Sequence, residues 1–105
     1  MTYRIRFHPA VTDDMTSIAE LIGNCAGQEA AARGLSAIEA VISSLAVTPF
    51  KGSVRSEIVP GLRAIPAGRK AVIAFTVNEA EREVLLHVIS YAVSDWIARG
   101  TVRGL

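Results

Sequence analysis

The residue types that carry most enzyme and metal chemistry are few in this sequence and widely spaced. His8 and His87 are the only histidines, and Cys25 is the only cysteine. No cysteine or acidic residue stands at metal-ligand spacing from either histidine. Ser90 and Ser94 lie near His87 in the sequence, but nothing marks either hydroxyl as an activated nucleophile. The glycine motifs that bind phosphates or dinucleotides are missing as well. We therefore predict no metal site and no cofactor.

The charges of the chain are unevenly distributed, although the net charge is only +1. Among the charged residues of 11–50, five are acidic and one, an arginine, is basic. Residues 51–70 reverse this balance, with Glu57 as the only acid against five basic residues, Lys51, Arg55, Arg63, Arg69 and Lys70. Such asymmetry suits a basic face that meets phosphates or an acidic partner. A solvated surface with clustered charge is the alternative. The overall balance is far from that of a dedicated nucleic-acid-binding protein.

Length and composition indicate one globular domain over residues 1–105. A chain of 105 residues, half of them hydrophobic, can build one core but not two. No window approaches the roughly 18 consecutive apolar residues of a membrane span. The N-terminal residues lack the apolar stretch of a secretory signal, and a single cysteine suits a reducing compartment. We expect a cytoplasmic protein that does not enter the membrane.

Periodicity in the first half predicts a strand and two helices. Apolar and basic residues alternate over 3–7, as in a half-buried strand, which Pro9 ends. Thr12 is suited to cap a helix that Gly23 and Asn24 would stop. A second, alanine-rich helix is predicted over 28–47, which makes the pair an antiparallel hairpin. The apolar face of that second helix consists of Leu35, Ile38, Ile42 and Leu45.

Three apolar or alternating segments in the second half predict an antiparallel meander. They cover residues 62–66, 71–77 and 84–89, and short turns separate them. Links this short make neighbouring strands antiparallel, because a parallel crossover needs a dozen or more residues. The third segment is apolar on both sides, so we expect it to be central in the sheet. Residues 92–99, which include Trp96, are predicted to form a short C-terminal helix. The predicted fold class is α+β.

Three stretches of the sequence follow the pattern of a known family. Residues 4–10 read Arg-Ile-Arg-Phe-His-Pro-Ala, and residues 61–69 read Gly-Leu-Arg-Ala-Ile-Pro-Ala-Gly-Arg before a hydrophobic strand. The third stretch runs from Leu86 to Tyr91 and is followed by Asp95 and Trp96. In this order they resemble the first strand, the Gly-Leu-Arg and Pro-x-Gly region, and the last strand of the RelE/ParE superfamily. These proteins are toxins of bacterial type II toxin–antitoxin systems. The resemblance covers nearly the whole chain.

This resemblance implies a growth-inhibiting toxin of a plasmid stabilisation module, held inactive by a cognate antitoxin. RelE-like members cleave messenger RNA inside the ribosome with a cluster of basic residues. ParE-like members poison DNA gyrase and need no nuclease site. A relative that kept the fold and lost toxicity, serving as a binding or regulatory module, is a third interpretation. Oligomers are possible in each case.

Departures from the RelE-like pattern favour the ParE-like side and a protein that is not an enzyme. Val59, Gly61 and Ser94 stand where RelE-like nucleases carry cations, and only Lys70 keeps a basic residue at such a position. RNA cleavage needs cations that hold the phosphate and stabilise charge as it develops. If the chain were a nuclease after all, Lys70 and Tyr91 would be the catalytic candidates. The residues expected to meet the antitoxin or the target are Arg63, Arg69, Lys70, Tyr91 and Trp96.

Overall fold

In the part of the chain that the structure describes, five strands form one sheet and two helices cover one of its faces. The computed structural model describes residues 2–91 together with Ile97 and Arg103. The elements in chain order are β1 (Arg4–Phe7), α1 (Val11–Ala26), α2 (Gln28–Leu45), β2 (Ser53–Val54), β3 (Arg63–Ala67), β4 (Ala71–Asn78) and β5 (Glu83–Ser90). The strand order across the sheet is β1-β5-β4-β3-β2. This architecture confirms the predicted α+β class and the antiparallel meander, here β3, β4 and β5.

Two features of the sheet were not predicted. β1 pairs with β5 in parallel, with Arg4 opposite Glu83 and Phe7 opposite Leu86. β5 therefore has a neighbour on each side, which confirms the expectation that the last strand of the meander is central. The second feature is β2, whose two exposed residues pair antiparallel with β3.

The ends of α1 differ from the prediction. Thr12 is not the cap, since the helix begins at Val11 and the Ala10 backbone N–H donates to His8 Nδ1 over 3.1 Å. Gly23 and Asn24 do not stop the helix, which continues to Ala26. A glycine inside a helix costs only about 1 kcal/mol, so the chain can pass Gly23 and stay helical for the three residues up to Ala26. The actual break is Gly27, whose φ of 93° suits glycine.

Both faces of the sheet are covered by apolar residues. On the helix side, Ile38 and Leu45 of α2 are buried, and Leu35 and Ile42 pack partly buried against the same cluster. This is the predicted apolar face of the second helix. On the opposite side, a smaller cluster lies beneath the connection between β2 and β3. Its buried members are Leu62, Ala64, Ala74 and Val88.

Among residues 2–91, 97 and 103, no helix has the length and apolar character needed to cross a membrane. The predicted C-terminal helix falls, apart from Ile97, outside the described residues, and so do Ser94 and Trp96.

Candidate functional site

The basic residues predicted to form one cluster lie in two separate places. Arg63 begins β3, whereas Arg69 and Lys70 lie in the turn that follows its other end. A five-residue strand is about 17 Å long, so these charges cannot act on one small group together.

Arg63 is engaged in packing at its end of the sheet. Its guanidinium lies over the Phe50 ring, 5.2 Å from the ring centroid, and donates to the Lys51 backbone carbonyl over 3.4 Å. The Phe50 ring in turn meets Tyr3 edge-on, with 6.3 Å between centroids. A cation over an aromatic face is held by the ring quadrupole. Arg63 therefore already supports the loop between α2 and β2.

A groove of about 300 Å³ lies between the helical hairpin and the β3–β4 turn, and we call it the hairpin groove. Its walls are formed largely by small residues, which leave space where longer side chains would fill it. Three larger polar side chains also line it, namely Arg33, Arg69 and Tyr91. The structure thus brings together two of the predicted binding residues and adds Arg33, which was not predicted. Arg33 could have been suspected, because it is the only basic residue among 11–50.

Glycines at two positions shape this groove. A Cβ at Gly34 would lie 2.7 Å from Ile22 Cδ1, so the two helices approach each other closely there. Gly68 has a φ of +68° and makes the tight turn that carries Arg69 to the groove. Lys70 is exposed in the same turn. Tyr91 follows β5 directly and packs, partly buried, against the core.

On the face of the sheet that the helices do not cover, His87 and Thr76 form a polar pair. His87 is the extra residue at a bulge in β5, and its Nε2 lies 2.9 Å from Thr76 Oγ1. Burial lowers the pKa of His87, and nearby His8 lowers it further. Both effects favour the neutral ring. His87 is therefore a half-buried histidine whose ring is hydrogen-bonded to Thr76.

The fully buried charge of Asp14 was missed by the sequence analysis. Its Oδ2 accepts from the Ile89 backbone N–H at 3.0 Å and from Arg103 Nη1 at 2.7 Å, and its Oδ1 accepts from Arg103 Nη2. Hydrogen bonding to Asp14 raises the pKa of Arg103 above its already high ordinary value. A signal existed in the sequence. Asp14 precedes Ile18 and Ile22 at spacings of four, which places it on the buried stripe of α1.

No metal-binding cluster emerges from residues 2–91, 97 and 103. Within these residues, no three histidine, cysteine or acidic side chains come close enough to hold an ion. Cys25 is exposed and unpaired with another cysteine. The hairpin groove and the charged side chains that line it form the candidate binding surface.

Comparison with known proteins identifies the family. The model of the family described as ParE toxin of type II toxin-antitoxin system, parDE, matches residues 5–92. Comparison with curated protein sequences gives no significant match. Among solved structures, the chromosomal ParDE system from P. aeruginosa superposes with a TM-score of 0.72 at 20% identity, covering 86% of this chain and 96% of that one.

Two further structures share the fold. A double mutant of E. coli toxin RelE in the free state has a TM-score of 0.68 at 10% identity, over 100% of this chain and 99% of that chain. The RelBE2 toxin–antitoxin complex from Mycobacterium tuberculosis has a TM-score of 0.56 at 14% identity, over 87% and 99%. The resemblance to the RelE/ParE superfamily is thereby confirmed. The chain belongs to the ParE toxin family of type II toxin–antitoxin systems.

Proposed function

We propose that this chain is the growth-inhibiting toxin of a toxin–antitoxin module, that a cognate antitoxin binds it, and that its target is DNA gyrase. The observation that carries this proposal is the match of the ParE toxin model to residues 5–92. The positions of the charged residues supply an independent argument about the target, and the hairpin groove supplies one about the antitoxin.

The sheet offers little support for a ribosome-dependent nuclease. Val59 lies half-buried against the smaller apolar cluster, and Gly61 is a turn glycine with a φ of +80°. Neither can hold a phosphate through a cationic side chain. Lys70 is exposed, but Arg69 lines the hairpin groove and Arg63 is engaged with Phe50. Loss of a single preorganised donor typically lowers an enzyme's rate by about 10²–10³-fold. The absence of cationic side chains at both Val59 and Gly61 therefore favours a protein that acts by binding its target.

The hairpin groove suits an amphipathic segment of the antitoxin. Its small apolar walls would accept one or two larger apolar side chains of a partner, and apolar burial is the main source of binding energy. Arg33 and Arg69 at the groove would attract acidic residues that flank those side chains. Tyr91 adds an aromatic surface with a polar tip.

The antitoxin site can be tested with charge variants of the purified toxin. We expect Arg33→Ala combined with Arg69→Ala to slow association with the antitoxin and to reduce the salt dependence of the association rate. Arg4→Ala combined with Arg6→Ala is the control with the same change of charge, because both arginines are exposed on β1, pair with Glu83 and do not line the groove. Equal effects of the two double variants would show that only net charge matters and that the groove is not the site.

The contributions of Arg63 and Lys70 to the same interface stay predictions. Arg63→Ala is expected to have a smaller effect than Arg69→Ala, because its guanidinium packs on Phe50 at the far end of β3. The effect of Lys70→Ala on the association rate should lie between those of the other two variants, since Lys70 is exposed beside Arg69 but does not line the groove. Association rates measured at two salt concentrations would rank the three variants.

The target can be tested by inducing the chain in bacteria without its antitoxin. We expect growth arrest accompanied by a DNA-damage response. Codon-specific messenger cleavage with intact chromosomes would contradict the gyrase proposal and restore the nuclease, with Lys70 and Tyr91 the first residues to mutate. Normal growth despite folded, abundant protein would instead support a relative that has lost toxicity.

A further inference from the structure

A buried carboxylate beside β5 forms a site that the proposed function does not use. Asp14 is fully buried, and its carboxylate accepts hydrogen bonds from the Ile89 backbone N–H and from both terminal nitrogens of Arg103. Arg103 Nη1 also donates to the His87 backbone carbonyl over 2.9 Å. The guanidinium thus bridges a side chain of α1 and the backbone of β5.

The site exists because β1 is shorter than β5. The last backbone hydrogen bond from the β1 side runs from His8 N–H to the Leu86 carbonyl at 2.9 Å. Beyond that point β1 has turned into α1, and no strand among residues 2–91 pairs with the His87 carbonyl and the Ile89 N–H on this side of β5. A neighbouring parallel strand would form hydrogen bonds with both the carbonyl before Val88 and the N–H after it. Here Arg103 donates to the His87 carbonyl, and Asp14 accepts from the Ile89 N–H.

Most of this site is built without Arg103. Asp14 is held by its place on α1, between Val11 and Ile18 in the core, and by the Ile89 N–H. The His87 carbonyl is fixed by the sheet. Removing Arg103 would take away the guanidinium that the Asp14 carboxylate and the His87 carbonyl share. Loss of one partner of a buried ion pair is strongly disfavoured, which makes the position receptive to another cation.

The geometry suits a guanidinium and not an ammonium. Nη1 is shared between Asp14 Oδ2 and the His87 carbonyl while Nη2 reaches Asp14 Oδ1. A planar fork makes these three contacts at once, whereas a lysine ammonium is a compact charge on a flexible stem.

We propose that Asp14, with the backbone of His87 and Ile89, forms a guanidinium-binding site that is filled by Arg103 and can also be filled from outside by another guanidinium group. The chemical class of ligand is an arginine side chain or a small alkylguanidinium. Arg103 is 12% exposed in its side chain, so the site opens at the surface once that side chain is removed.

Chemical rescue of Arg103→Ala tests this site in the full chain. The readout is the hydrogen exchange of the Ile89 amide, compared with the Leu86 amide on the same strand. In the variant we expect exchange at Ile89 to accelerate on the order of tenfold or more beyond any change at Leu86. Millimolar ethylguanidinium should restore protection at Ile89. Ethylammonium should not, and Arg103→Lys should behave like Arg103→Ala.

A double variant that also lacks the carboxylate serves as the control for this rescue. Asp14→Asn combined with Arg103→Ala should gain nothing from ethylguanidinium, because the carboxylate is gone. If Arg103→Ala does not fold, refolding with ethylguanidinium or with ethylammonium replaces the exchange experiment, and recovery with the guanidinium alone supports the site. Equal effects of the two compounds, no effect of either, or wild-type protection in Arg103→Lys would overturn the proposal. None of these outcomes depends on toxicity.

Discussion

Replacing Asp14 by alanine should lower the free energy of unfolding by about 3–5 kcal/mol, as expected when one partner of a buried ion pair is removed. The structure explains the size of this effect. The variant leaves the Arg103 guanidinium, whose side chain is 12% exposed, without its carboxylate. It also removes the acceptor of the Ile89 N–H. The total free energy of unfolding of a domain is about 5–15 kcal/mol, so this loss would be a large fraction of it.

Thermal and urea unfolding of two adjacent variants would measure this cost. One kcal/mol corresponds to roughly 4–8 °C in Tm for a domain of about 100 residues, so Asp14→Ala should melt at least about 12 °C lower. Asp13→Ala is the matched control, because Asp13 is exposed in the same first turn of α1. It should change stability by about 1 kcal/mol or less, through its charge at the helix N-terminus and its attraction to Arg103. Equal shifts for the two variants would refute the assignment of a structural ion pair to Asp14.

Three further predictions concern the core, a turn and pH. Ile38→Ala should cost about 2–5 kcal/mol in urea unfolding, whereas Leu21→Ala, exposed at 48%, should cost far less, and similar losses would contradict the described core. Gly52→Ala should lower the free energy of unfolding by about 1–3 kcal/mol, since the φ of Gly52 is +80° and a Cβ there would lie 2.5 Å from a backbone oxygen of β3. Gly61→Ala should cost less, because Gly61 has the same φ but a Cβ there would lie in open space. A lower melting temperature for Gly61→Ala than for Gly52→Ala would argue against this packing. Because the folded state lowers the pKa of His87, the unfolded chain binds a proton more readily, and stability should fall as the pH drops below about 6.5. His87→Gln should lose that part of the pH dependence, and an unchanged slope between pH 7.5 and 5 would show that His87 does not cause it.

The meander could be predicted because its information is local. Alternation over 62–66 and 71–77 and a short glycine turn specify an antiparallel pair without reference to the rest of the chain. The pairing of β1 with β5 depends on contacts between residues nearly 80 positions apart, such as Arg4 and Glu83. No periodicity encodes a partner at that distance. β2 was missed because two exposed residues are too short to show any period.

The candidate site was predicted in part for the same reason. Arg69 and Tyr91 stood out by type and by family pattern, and the structure places both on the hairpin groove. Arg63 looked equivalent to Arg69 in the sequence, yet the length of β3 separates them. The ion pair of Asp14 was missed, because its partner Arg103 is 89 residues away. Buried ion pairs of this kind depend on tertiary structure alone.

Purified gyrase gives the most direct measurement of the central claim. The folded chain is added to gyrase with relaxed plasmid, with and without an excess of the cognate antitoxin, and supercoiling and DNA cleavage are followed on gels. We predict that the toxin alone inhibits supercoiling or traps cleaved plasmid, and that the antitoxin prevents this. Unimpaired supercoiling at every toxin concentration, together with cleavage of ribosome-bound messenger RNA by the same preparation, would contradict the proposal.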